Sequence, residues 1–252
     1  EAAVAQLMDA GVAVIMVDRI IMSQADRAVA NVKGDNEGTG AAAGWYLTEK
    51  GMAPGDKVYV IEGDSSSVNV ARNDGFTKYL LGELEYNGAK IATPWTQEQL
   101  DAGRILSGVT GWSQATAQNM FETLLSDSAN ANIKYVTSWD SGTALGAMDA
   151  LSGSAIDDTT KATFLANKPY ICGCSGHPDL YALLAGTSTD AAYKATYDQL
   201  GGMMYTTYEP GMMKDAVLLM ADYLDGKPVE KDFVIPTEVV TADNYADFTP
   251  FF

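Results

Sequence analysis

The chain has 252 residues, 47% of them hydrophobic and 19% charged, and carries a net charge of −17. That length allows one large domain or two lobes of ordinary size, with apolar residues enough for a substantial core. The acid excess excludes partners that require a basic face, namely nucleic acid and anionic membrane surfaces. No apolar run approaches the ~20 residues of a membrane span; the longest, 12–17, stops at Asp18.

The chain opens inside a helical stretch, AAVAQLMDAG, and continues into an apolar run, VAVIMV (12–17), that reads as a buried strand ending at Asp18-Arg19. A helix is expected over 39–50. The strand KVYVIE (57–62) follows and ends in Gly63-Asp64-Ser65, and a helix over 68–84 comes next. AKIATP (89–94) reads as a further strand and 114–126 as a helix. IKYVTS (133–138) then runs into Trp139-Asp140-Ser141-Gly142 and a helix over 143–151. PYICGC (169–174) ends in Gly173-Cys174-Ser175-Gly176, ahead of helices over 179–185 and 190–200. MMYTTY (203–208), a helix over 212–224 and DFVIPTEVV (232–240) complete the order. Near-continuous apolar strands, alternating with helices, predict an α/β fold with parallel sheets covered by helices on both faces.

In open α/β sheets the ligand crevice lies outside the carboxyl ends of the strands. Four of these ends carry carboxylates, hydroxyls, a guanidinium or an indole, a composition suited to a polyhydroxylated ligand. Carboxylate and guanidinium groups pair with adjacent hydroxyls, and indole faces cover the C–H face of a sugar ring. Each residue also has an ordinary reading when taken alone. Asp18-Arg19 can be a surface loop pair, Arg72 a solvated arginine on a helix, and Trp112 or Trp139 plain core.

Other motifs point elsewhere and fall short. Gly38-Thr39-Gly40-Ala41-Ala42-Ala43 matches a weak dinucleotide fingerprint, which requires a strand running straight into the first glycine. The nearest predicted strand ends some twenty residues earlier, so the small residues read as close helix–sheet packing. His177 stands two residues after Ser175, but the glycine directly after that serine breaks the GxSxG pattern. Pro178 instead marks a helix start. Cys172 and Cys174 read as two small apolar core residues, since strand neighbours two apart sit at or beyond disulfide spacing. There is no EF-hand loop, P-loop or HExxH, and no acid–base–nucleophile set stands out. The sequence therefore points to no enzyme, cofactor or metal.

The segments AGVAVIMVDR, GDNEGTGAAAGWYL, VYVIEGDSSSVNVARNDGF, YVTSWDSGTALGAMDAL, ICGCSGHPD and ADYLDGKPVEKDFVIPTEVVTADN together resemble the type I periplasmic sugar-binding proteins of the ribose and galactose group. The likeness runs nearly from end to end, in the family's order and spacing. It implies two Rossmann-like lobes joined by three crossings, with the ligand clamped between them by hinge closure. It assigns residues 1–34 and 208–237 to a partial first lobe, and 35–207 with 238–252 to the second. It also implies that roughly a hundred residues of the first lobe are absent from this sequence or supplied by a companion chain. The Asp18-Arg19 pair, Arg72, Trp112 and Asp140 match ligand-contacting positions of the family. Trp139 stands beside Asp140, Ser175 replaces an acid, and Thr207 and Glu209 fall near a ligand-bonding position at the last hinge.

The expected function is capture of a neutral monosaccharide or polyol, delivered to an ABC permease or a chemoreceptor outside the cytoplasm. The location would be the periplasm or a lipid anchor at the cell surface. The rivals are the effector-binding domain of a transcriptional regulator with this fold and, less favoured, an NAD-dependent oxidoreductase built on the glycine run. A basic helix-turn-helix segment encoded upstream would favour the regulator, and a signal or lipoprotein peptide the transport protein.

Overall fold

The computed structural model describes residues 1–250. In chain order the elements are α1 (Ala2–Asp9), β1 (Ile15–Val17), β2 (Ala30–Gly34), α2 (Asn36–Glu49), β3 (Val58–Glu62), α3 (Ser67–Leu80), α4 (Gln97–Gly103), β4 (Arg104–Val109), α5 (Gln114–Ser126), β5 (Tyr135–Ser138), α6 (Ser141–Ser152), α7 (Asp158–Ala166), β6 (Tyr170–Cys174), α8 (Pro178–Leu184), α9 (Ala191–Tyr197), β7 (Gly202–Thr206), α10 (Met212–Leu224), β8 (Asp232–Ile235) and β9 (Val239–Val240). They build two sheets, a small one of order β1-β2-β8 and a large one of order β4-β3-β5-β6-β7-β9. All pairings are parallel except the last, where β9 runs antiparallel to β7.

Inside its edge strand β4 the large sheet is buried on both faces, which is why its central strands carry no polar alternation. Successive residues point to opposite sides. Tyr59, Ile61, Val136, Ile171, Met203 and Tyr205 meet Phe121, Leu145 and Leu180 on one side. Val58, Val60, Tyr135, Cys172 and Met204 meet Ala42, Leu47 and Phe76 on the other. Cys172 and Cys174 are buried and unbridged. Burial alone pushes the Cys172 thiol well above its ordinary range.

The glycine run lies in α2, where Ala41, Ala42 and Ala43 pack into the core on the large sheet as expected, while its glycine side meets another helix. A side chain at Gly40 would collide with the Arg72 carbonyl, and one at Gly75 with the Glu37 carbonyl, so α2 and α3 touch backbone to backbone. β2, which the sequence reading overlooked, runs almost directly into this helix, whose first turn is capped by the Asp35 carboxylate accepting from Gly38 N–H at 2.7 Å.

The small sheet is covered chiefly by α10, whose Met212 and Ala216 pack on Val32. Among the described residues the chain passes between the sheets three times: after β2, after β7, and between β8 and β9. Hydrogen bonds hold these crossings side by side. Asp35 N–H donates to the Ile235 carbonyl at 2.9 Å and Thr207 N–H to the Glu238 carbonyl at 2.8 Å. Glu238 N–H donates to Thr207 Oγ1 at 2.9 Å, and the Thr237 hydroxyl donates to the Thr207 carbonyl at 2.8 Å.

Two expected elements differ. Residues 89–94 form an exposed loop, because Asn87 and Gly88, both at positive φ, reverse the chain and bridge Tyr86 to Ala89. The strand belongs instead at 104–109, where Arg, Ser and Gly interrupt the apolar run because β4 is a half-exposed edge. The run 232–240 is two strands in two sheets. Pro236 lacks the N–H that a continuous ladder would need.

Candidate functional site

Six strand ends converge where the two sheets face each other. Asp18 and Arg19 follow β1, Gly63 and Asp64 follow β3, Trp112 lies beyond β4, Asp140 follows β5, Ser175 follows β6 and Tyr208 lies just past β7. Around them is a cavity of about 470 Å³, lined by Asp18, Arg19, Arg72, Trp112, Asp140, Ser175 and Tyr208, with Val17, Val68, Pro210, Met212 and Met213. That size is in the range of small-molecule sites. Its polar groups come from both sides of the cleft.

The backbone around this cavity is unusual. Among the described residues five non-glycine residues have positive φ, and three of them, Asp18 (65°), Trp112 (61°) and Ser175 (65°), line the cavity. The left-handed region is unfavourable for a bulky residue such as Trp, at roughly 1–2 kcal/mol. Such conformations persist where the surroundings impose them, commonly at binding sites. Gly63 accommodates the result, since a side chain there would collide with the Trp112 ring.

Arg72 is the one buried charged side chain among the described residues. It is only 4% exposed. Its Nε donates to Asn36 Oδ1 at 2.9 Å, and its Nη1 donates to the Trp139 carbonyl. The guanidinium lies over the Tyr208 ring at 4.6 Å and near the Trp112 ring at 5.8 Å. Among the described residues no carboxylate forms an ion pair with it. A buried guanidinium held by neutral acceptors and ring faces is a prepared donor for a polar ligand.

Asp140 splits its two oxygens between structure and cleft. Oδ1 caps α6 by accepting from Gly142 N–H at 2.8 Å and Thr143 N–H at 3.2 Å. Oδ2 meets only the Ser175 hydroxyl, at 3.4 Å. Across the cleft mouth Arg19 Nη1 pairs with Asp64 Oδ2 at 3.2 Å. Against the upward push of its partial burial, hydrogen bonds from Ser66 and the Arg19 charge lower the Asp64 carboxyl to about 2. The Trp112 indole nitrogen is buried with no hydrogen-bond partner.

Three residues singled out from sequence do not line the cavity. Trp139 is 1% exposed, its ring packs edge-on to Phe76 and its indole N–H donates to Asn73 Oδ1, so the aromatic walls are Trp112 and Tyr208 instead. Thr207 spends its polar groups on the neighbouring crossing. Glu209 accepts from Gly211 N–H at 2.9 Å. Tyr208, between them, is the polar cavity residue that the candidate set left out. The strand-end rule applied to the run 203–208 would have found it. His177 caps α8, its Nδ1 accepting from Asp179 N–H, with Pro178 in the first turn. Its backbone N–H donates to the Ser175 carbonyl at 3.0 Å, but its ring makes no hydrogen bond with the Ser175 hydroxyl, so no serine–histidine pair forms.

A model of the periplasmic binding protein domain matches residues 1–228. A search of curated proteins returned no match. Among solved structures, the chain is similar to the periplasmic binding component of the arabinose ABC transporter from a Shewanella species, bound to L-arabinofuranose, with 18% identity, TM-score 0.68, and coverage of 98% of this chain and 70% of that one. It is also similar to a Mycobacterium smegmatis protein in complex with β-D-fucofuranose, with 17% identity, TM-score 0.69, and coverage of 98% and 70%. A third is the Caulobacter myo-inositol binding protein bound to myo-inositol, with 19% identity, TM-score 0.67, and coverage of 98% and 71%. At these identities the likeness establishes the shared fold.

Proposed function

The chain belongs to the periplasmic binding protein family, and on that premise we propose that it captures a neutral monosaccharide or polyol in the cleft between its two sheets. The observation that carries this reading is the convergence of Asp18, Arg19, Arg72, Trp112, Asp140 and Ser175, drawn from distant parts of the chain, onto one cavity. Two carboxylates and two guanidinium groups leave the lining balanced in charge, which disfavours strongly ionic ligands. Asp140 Oδ2 supplies an acceptor and the Arg72 guanidinium a donor to the same cavity, the pattern that vicinal hydroxyls complement. Trp112 and the Tyr208 ring supply aromatic faces for the C–H side of a ring.

The family and the ligands of the structural neighbours support a binding protein over an enzyme. They also support delivery to an ABC permease outside the cytoplasm. No helix among the described residues is long and apolar enough to cross a membrane. The division into a first lobe of residues 1–34 and 208–237 and a second of 35–207 and 238–252 is part of the same proposal. The three crossings would then serve as its hinge.

A panel of pentoses, hexoses and polyols, followed by tryptophan fluorescence and thermal unfolding, tests the ligand class. A ligand at a hundred times its Kd stabilises the folded state by about 2.7 kcal/mol. For a chain of this size that raises Tm by roughly 5–10 °C. No fluorescence change and no Tm shift across the panel would remove the carbohydrate reading.

A further inference from the structure

We propose that Tyr208 is the positioning residue of the cleft, coupling closure of the three crossings to the placement of Asp18 and Arg72. The proposal rests on the cleft being the ligand site and adds how that site is assembled. Tyr208 stands in the crossing after β7, where Thr207 is tied to Glu238 of the adjoining crossing in both directions. From this fixed base its side chain reaches three separate parts of the molecule. Its hydroxyl donates to Asp18 Oδ1 at 2.5 Å, at the end of the small sheet. Its ring lies 4.6 Å from the guanidinium of Arg72, which belongs to α3 on the large sheet. Its edge fills the space that Gly34 leaves open in the crossing after β2, where any side chain would strike the ring.

Asp18 and Arg72 belong to opposite sides of the cleft. Rotation of one side about the crossings cannot keep Tyr208 against both groups, so opening breaks either the hydroxyl–carboxylate bond or the ring–guanidinium stack. Closure restores both. The bond also orients the Asp18 carboxylate on a backbone at φ 65°, with Oδ1 engaged and Oδ2 turned to Arg19 at 3.9 Å. Burial, and then the hydrogen bond to Asp18, push the phenol well above its ordinary range, so it remains a donor.

The test uses spin labels at Lys214→Cys and Asp179→Cys, exposed positions at the starts of α10 and α8. The native cysteines are buried and escape labelling. Interlobe distances are measured by pulsed electron resonance in the absence of sugar. Tyr208→Phe removes only the hydroxyl. Asp18→Gly removes the carboxylate and tolerates the positive φ. Each is expected to raise the population of long-distance, open conformers by roughly threefold or more. The double variant is expected to add nothing to either, because the hydroxyl acts through the carboxylate. Unchanged distances in Tyr208→Phe, or independent addition of the two effects, would overturn the proposal. No ligand enters this measurement, so shifted distances with a silent sugar panel would retire the ligand class and uphold Tyr208. Unshifted distances with a responding panel would do the reverse.

Discussion

The large and small sheets are built from the same strand–helix unit, yet they bury it to very different extents. The six-stranded sheet has a core on each face, with Phe121, Phe164, Leu145 and Leu151 fully enclosed on one side and Phe76, Leu80 and Leu100 on the other. The three-stranded sheet encloses little beyond Val32, Met212 and Ala216. Its covering helix α10 leaves Met213, Val217, Leu218 and Leu224 more than half exposed, and α1 buries no residue at all. The unit forms in both places because local pattern suffices to make it. Only where several copies lie side by side does each bury both of its faces. Stability therefore resides in the large sheet, while the small one contributes half of the cleft.

Three substitutions probe that contrast. The largest effect is expected from Phe121→Ala, which opens a cavity between Tyr59 and Phe164. Denaturant unfolding should show a loss of about 3–5 kcal/mol. A loss below about 1 kcal/mol would mean that the large sheet does not dominate stability.

A smaller effect attends the ion pair joining the two regions. The depressed carboxyl of Asp64 contributes stability that is present above the ordinary Asp range, about pH 4, and lost as pH falls through about 2. The Arg19 side chain is 58% exposed, so the pair is worth less than about 1 kcal/mol and weakens in salt. Acid titration of Asp64→Asn should lack this part of the loss that the native protein shows; superimposable curves would remove the pair from the account. The smallest change belongs to Val217→Ser on the open face of α10, expected within about 0.5 kcal/mol of the parent by the same unfolding measurement. A cost of several kcal/mol would show that this face is covered in solution.

Much of the large sheet was legible in the sequence because both faces of its strands are buried. Runs such as 58–61 and 170–174 carry no charged residue, and the helix 114–126 keeps its amphipathic period with a capping Ser113. The edge strand β4 was not legible, since half-exposure mixes Arg, Ser and Gly into its pattern. Nor was β2, where Asn31 and Lys33 break the run. A helix as short as α4 gave little periodicity beyond the capping box formed by Thr96 and Gln99. In the cleft, residues directly after a strand, such as Asp18, Asp140 and Ser175, were legible by position. Trp139 was not separable from Trp112 in the same way, because both are aromatic residues near strand ends. Which of two neighbouring aromatics turns into the core depends on what packs beside it, here Phe76.

Local chemistry thus determined the element types and the α/β class. Apolar runs must be buried, and helix periods and caps act over a few residues. The tertiary structure decided what depends on residues far apart in the chain. It sends 232–235 and 239–240 to different sheets and sets α2 against α3 through two glycines. It also lays Tyr208 between Asp18 and Arg72, although 190 positions separate Tyr208 from Asp18. Burial and hydrogen-bond satisfaction are settled only after such segments meet, so no window of sequence contains them.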